Sequence, residues 1–184
     1  MSDTQFPAER ESLRAQLAET IQTGKITLAS GRTTDFYFDG RLVTLDAKGL
    51  FLVSKLGFEQ IAGRCDAVGG PTSGADPIVA GIGLASLDAG KPIRTFFTRK
   101  EAKGHGMGRR IEGPALLPGD RVFIVDDVAT SGGSLIQSAQ VVEEETGAKV
   151  VGALVIVDRQ EGAVEKLAEA GIELESLFKK ADFV

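Results

Sequence analysis

The sequence has 184 residues, 42% hydrophobic and 26% charged, with 23 glycines, a balance that suits one soluble α/β domain over residues 1–184 and excludes a disordered or fibrous chain. Its formal charge of -5 argues against recruitment to nucleic acid or anionic membrane by the net field, so any polyanion site must be local. Cys65 is the only cysteine, which excludes an internal disulfide framework and a thiol-based metal site and fits a reducing, cytoplasmic setting.

The opening residues Met1 to Pro7 carry no basic stretch followed by an apolar one, so no secretory signal is expected. From Ala8 to Gln22, Leu13, Leu17 and Ile21 recur at helical spacing and predict a packing helix ending before Gly24. Between Lys25 and Thr44, β-branched and aromatic residues broken by Ser30-Gly31-Arg32 and Asp39-Gly40 predict short strands joined by turns, the makings of a small lid. A helix is expected from Ala47 to Ile61, then a central strand in Asp66-Ala-Val-Gly-Gly-Pro, a helix from Ile78 to Leu87 and a strand from Ile93 to Thr98. A glycine-rich basic loop reaches Gly113. Beyond it come a strand at Arg121 to Val125, a helix from Ser134 to Thr146 closed by Gly147, a strand at Val150 to Val157 and a helix from Ala163 to Ala170. The run Val150 to Val157 is far too short to cross a bilayer as a helix. Alternating strands and helices predict a doubly wound parallel sheet, with ligands outside the carboxyl ends of the strands.

The strongest chemical signal is the run Val122-Phe-Ile-Val-Asp-Asp-Val-Ala-Thr-Ser-Gly-Gly-Ser134. An apolar strand enters two carboxylates, then a loop of small and hydroxylated residues, then a helix. Backbone amides of such a turn, with the helix N-terminus behind them, form a concave donor site for phosphate. Thr130, Ser131 and Ser134 add hydroxyls. Asp126 and Asp127 would repel a phosphate, so their place beside it implies ribose hydroxyls to accept from, or a hard cation such as Mg²⁺ to share with substrate oxygens. The run lacks the lysine of a Walker A loop and is not G-x-G-x-x-G, which disfavours nucleotide hydrolysis and dinucleotide binding.

This run resembles the signature of the phosphoribosyltransferase family. The resemblance implies that Val128, Ala129, Thr130, Ser131, Gly132, Gly133 and Ser134 hold the 5-phosphate of 5-phosphoribosyl 1-diphosphate while Asp126 and Asp127 face its ribose. A second motif, Thr98-Arg-Lys-Glu-Ala-Lys-Gly-His-Gly106, is similar to the catalytic loop of the orotate phosphoribosyltransferases. By that resemblance Arg99, Lys100, Lys103 and His105 stabilise departing pyrophosphate, Lys103 matches the catalytically important lysine, and the loop acts in trans across a homodimer. A charged, glycine-rich loop taken alone is more often simply solvated.

The segment Thr27 to Asp39 resembles that family's amino-terminal hood, which implies that Tyr37 and Phe38 lie near the orotate ring. Ala29 stands where some members carry a substrate-binding lysine, so the resemblance implies that this contact is absent or is supplied elsewhere, with Lys25 as a candidate. Arg159 matches the arginine that meets the orotate carboxylate, with Thr130 also near the base. In Gly69-Gly-Pro-Thr-Ser-Gly-Ala-Asp-Pro77 the diphosphate loop has Ser73 and Gly74 where some bacterial members have Tyr-Lys.

Together these imply a type I phosphoribosyltransferase fold, a parallel core sheet flanked by helices, with a hood from about residues 1–45 and part of the C-terminal region. The implied reaction joins orotate to 5-phosphoribosyl 1-diphosphate with Mg²⁺ held mainly by substrate, without nucleic acid or membrane partners. The rivals are a purine or other pyrimidine phosphoribosyltransferase and a sensor that retains the fold to bind the sugar diphosphate.

Overall fold

The computed structural model describes residues 6–27, 31, 33–101 and 110–184. Helix α1 (Pro7–Thr20) leads into a two-stranded antiparallel hairpin, β1 (Ile21–Thr27) and β2 (Thr33–Phe38). The short α2 (Arg41–Thr44) and the long α3 (Ala47–Ile61) follow. The main sheet is then built by β3 (Ala67–Pro71), α4 (Ala75–Asp88), β4 (Arg94–Thr98), β5 (Ile111–Glu112), β6 (Arg121–Ala129), α5 (Gly133–Thr146), β7 (Lys149–Asp158), α6 (Ala163–Glu169) and β8 (Leu174–Lys179), with a 3-10 turn at Lys180–Asp182.

The strand order is β5-β4-β3-β6-β7-β8, parallel throughout except for the pairing of β4 with β5. Period-two alternation explains why helices cover both faces. On β6, Phe123 and Val125 point into one apolar cluster with Leu52, Leu56, Ile78 and Ile82 of α3 and α4. Their neighbours Val122 and Ile124 point into the other, with Leu135, Ala139 and Val142 of α5 and Leu167 of α6. Glycine is required where neighbouring strands touch closely: a Cβ on Gly70 of β3 would lie 1.9 Å from the Val125 carbonyl oxygen of β6.

The expected architecture is thus the one that forms, with three shifted element boundaries, while the short α2 takes the end of the Lys25 to Thr44 segment where only strands and turns were expected. Helix α1 stops at Thr20 because Ile21 and Gln22 pair with Phe38 and Tyr37, and that ladder outweighs the helical continuation of the Leu13, Leu17, Ile21 stripe. Helix α4 starts at Ala75, three residues before Ile78. Strand β6 continues past Val125 to Ala129, since Asp126, Val128 and Ala129 pair with Val155, Val157 and Asp158 of β7. Strands β5 and β8 were not foreseen. Both are edges that need only one neighbour, and β8 is half-buried and broken by Glu175 and Ser176, so no run of apolar residues announces it.

Candidate active site

The acidic pair sits inside the last turn of β6, not after it. Asp126 is 8% exposed, with Oδ1 accepting from the Asp127 amide at 3.0 Å and Oδ2 from the Ser134 hydroxyl at 3.3 Å. Two neighbouring turns close over the pair. A Cβ on Gly74 would lie 2.6 Å from Asp126 Oδ1 and 2.9 Å from Asp127 Oδ1, and one on Gly40 would lie 2.5 Å from Asp127 Oδ2. Burial first, and the Asp127 charge second, push the Asp126 carboxyl up to about 8. Asp127 is also raised, by burial and by the nearby Asp39. Asp39 itself lies below the usual carboxylate range because Arg41 grips it with two hydrogen bonds of 3.0 Å.

The small-residue loop runs from the end of β6 at Ala129 to the start of α5 at Gly133. Gly132 has φ 73°, and a Cβ there would lie 2.3 Å from Leu167 Cδ1, so only glycine makes the turn without displacing α6. The turn leaves the first amides of α5 facing the cleft, where a helix N-terminus favours an anion. The Ser134 hydroxyl donates to Asp126, a use the sequence did not reveal. Ser73 is exposed at the neighbouring β3–α4 turn and Gly74 abuts the acidic pair, so this turn and the loop face each other across Asp126 and Asp127.

Thr130 and Ser131 also line a second space of about 590 Å³ with Thr33, Thr34, Asp35, Arg159 and Glu161. Arg159 is 12% exposed and is fixed by the hairpin: its Nη2 donates to Thr34 Oγ1 at 2.8 Å and to the Phe36 carbonyl at 3.0 Å. Its backbone amide donates to the Ala129 carbonyl at 3.0 Å, which ties the end of β7 to the phosphate-type loop. Thr33, Thr34, Asp35 and Glu161 were missed in the sequence because they come from the hairpin and from beyond Arg159, with no shared motif.

Tyr37 and Phe38 do not act as a pair. Consecutive strand residues point to opposite faces, and Phe38 is 6% exposed within the apolar core beside Phe36 and Val43, so it is withdrawn as a base contact. Tyr37 is half-buried on the other face. Lys25 is exposed on β1 and is not among the described residues that line the cavity, and Ala29 lies outside the described residues.

At the root of the basic loop, Arg99 Nε donates to Glu112 Oε1 at 2.6 Å and Arg110 pairs with Glu144 and Glu145, while Lys100 is exposed. These pairs, with the Arg99 amide donating to the Arg110 carbonyl, pin the two ends of the loop together. Lys103 and His105 lie outside the described residues. Asp76, in the first turn of α4, has a buried Oδ1 without a hydrogen-bond partner among the described residues, and burial raises its carboxyl while Arg99 draws it down.

Comparison with known proteins matches these features. The phosphoribosyl transferase domain family matches residues 52–178. An orotate phosphoribosyltransferase of Rhodopseudomonas palustris (strain TIE-1) is 42% identical over 184 residues, covering 95% of this chain and 98% of the relative. The crystal structure of Mycobacterium tuberculosis H37Rv orotate phosphoribosyltransferase in complex with Fe(III) dicitrate superposes with a TM-score of 0.83 at 37% identity, over 95% of this chain and 98% of that one. A structure of the same M. tuberculosis protein in complex with 5-phospho-alpha-D-ribosyl 1-diphosphate gives a TM-score of 0.79 at 33% identity, with the same coverage.

Proposed function

The chain belongs to the orotate phosphoribosyltransferases, within the phosphoribosyl transferase family, and from that premise we propose how its cleft divides the work. The reaction transfers the phosphoribosyl group of 5-phosphoribosyl 1-diphosphate to orotate, giving orotidine 5'-monophosphate and pyrophosphate in pyrimidine biosynthesis. The observation that carries the division is the junction of the phosphate-type loop and Arg159: Thr130 and Ser131 line the same cavity as the fixed guanidinium.

In this reading the amides from Val128 to Ser134 hold the 5-phosphate at the start of α5, and Asp126 and Asp127 accept from the ribose hydroxyls. Arg159 grips the orotate carboxylate, with Tyr37 and Thr130 beside the ring. Ser73 and Gly74 carry the diphosphate, and Arg99, Lys100, Lys103 and His105 stabilise the charge that develops on it. Orotate N1 bonds the anomeric carbon as the bond to the diphosphate oxygen breaks; pyrophosphate leaves with the bonding electrons, and the proton lost from N1 leaves with it or passes to water. Loop closure would exclude the water that otherwise hydrolyses the sugar.

Among the described residues no three His, Cys, Asp or Glu side chains gather as a metal cage. The buried pair suits instead a hard cation that takes one or two carboxylates and completes its shell with substrate oxygens and water. Asp126 and Asp127 are the residues to hold Mg²⁺ arriving with the diphosphate, where it would supply neutralising charge.

The exposed Phe51, Leu84 and Leu87 on the adjoining helices α3 and α4 support a homodimer in which the basic loop of one subunit serves the other. A single domain over 1–184 with the hairpin and closing turn as hood, and a cytoplasmic location, complete the reading. Incubating the protein with Mg²⁺, 5-phosphoribosyl 1-diphosphate and orotate should consume orotate and release pyrophosphate, with uracil and purine bases inert. Turnover of a purine instead would move the base assignment and leave the sugar site in place.

A further inference from the structure

The base cavity already contains a carboxylate for its own guanidinium. Glu161 Oε1 lies 2.8 Å from Arg159 Nη2, the nitrogen that also serves Thr34 Oγ1 and the Phe36 carbonyl. The two protons of that amino group go to Thr34 and Phe36, so Glu161 meets the guanidinium as an opposite charge. Thr34 and Phe36 are fixed on β2, whereas the Glu161 side chain is 34% exposed, so Glu161 is the partner free to leave.

Its backbone is held while its side chain is not. Gln160 and Gly162 on either side have φ of 57° and 93°. The Gln160 amide donates to Asp158 Oδ1 at 2.8 Å, and its side-chain Oε1 accepts from the Ala181 amide at 3.0 Å. Release of Arg159 therefore needs only rotation about the Glu161 side-chain bonds. The charge count gives such a rotation a purpose. Asp35, which lines the cavity, is neutralised by Lys180 at 2.8 Å, and Glu161 by Arg159, so the two ion pairs leave no net charge at the cavity wall. A substrate carboxylate would make it negative unless Glu161 turned out to water.

We propose that Glu161 is an internal competitor for the substrate carboxylate: it pairs with Arg159 and yields that place to orotate. The inference rests on the assignment of Arg159 to the orotate carboxylate. An uncharged base has no group with which to replace Glu161, so the pair adds selection for an acidic one. The exchange runs in reverse after transfer, because orotidine 5'-monophosphate retains the carboxylate and Glu161 returns as it leaves.

The test compares the wild-type protein, Glu161→Gln, Arg159→Ala and the double variant in steady state, varying orotate and 5-phosphoribosyl 1-diphosphate in turn. Removing the competing charge should lower both the KM for orotate and the inhibition constant of orotidine 5'-monophosphate about fivefold, while the KM for the sugar diphosphate stays put. The effect of Glu161→Gln should vanish in the Arg159→Ala background. An unchanged or raised orotate KM in Glu161→Gln overturns the proposal. If Arg159→Ala nevertheless raises that KM tenfold or more, the carboxylate assignment survives and only the competitor fails. If Arg159→Ala leaves it unmoved, both are lost.

Discussion

The sugar half and the base half of the cleft are built by opposite means. Asp126 to Ser134 form one continuous stretch, spanning the end of β6 and the first turn of α5, with Asp126 buried and Asp127 half-buried against Gly40 and Gly74. The base cavity gathers Thr34 and Asp35 from the hairpin, Thr130 from the loop and Arg159 and Glu161 from beyond β7, with Lys180 of the closing turn paired to Asp35. The first half is fixed by backbone and desolvation. The second is held by ion pairs that reach solvent and can be exchanged. A phosphorylated sugar common to many reactions suits a rigid local site, while recognition of one base suits a surface assembled from separate segments.

The sharpest break of this contrast is to neutralise the buried pair. Asp126→Asn with Asp127→Asn should lower kcat/KM by about 10²–10³, as for removal of a preorganised electrostatic group, while thermal stability at pH 8 holds or rises because two desolvated carboxyls are gone. A loss of folding at that pH, seen by calorimetry, would show that the pair is structural.

Next, Gly74→Ala should destabilise the protein by about 1–3 kcal/mol through overpacking, since its Cβ would lie 2.6 Å from Asp126 Oδ1. Denaturant melts and the KM for 5-phosphoribosyl 1-diphosphate should both worsen, and an unaffected melt would place the two turns further apart.

A third test uses pH. Asp126 is raised from 3.8 to about 8 in the folded protein, so the folded state holds the extra proton between those values. Its contribution is fully present below about pH 4 and is lost as pH rises toward 8. Urea midpoints for the wild type should therefore lose stability across that window relative to Asp126→Asn. Parallel profiles would remove the desolvation argument.

The smallest effect belongs to the exchangeable half. Lys180→Met breaks the exposed pair with Asp35 and should raise the KM for orotate about twofold, as expected for an exposed ion pair, with the sugar diphosphate unaffected. A large fall in stability instead would assign the closing turn to the core.

The sequence alone determined the alternating architecture, because the apolar runs of β3, β6 and β7 are buried on both faces and each is followed by a helical pattern. It also determined the sugar loop, whose donors and carboxylates are neighbours in the chain, and its resemblance to the orotate phosphoribosyltransferases singled out Arg159. Only the tertiary structure decided which groups meet across long separations: Arg159 with Thr34 and Phe36 on the hairpin, Lys180 with Asp35, and Gly40 and Gly74 against the acidic pair. It also decided between Tyr37 and Phe38, since the pleat can turn only one of two adjacent residues away from the core. Periodicity and local motif record what a residue does with its chain neighbours. Ion pairing, desolvation and close backbone approach depend on distances set when the layers pack, and no spacing within one segment encodes them.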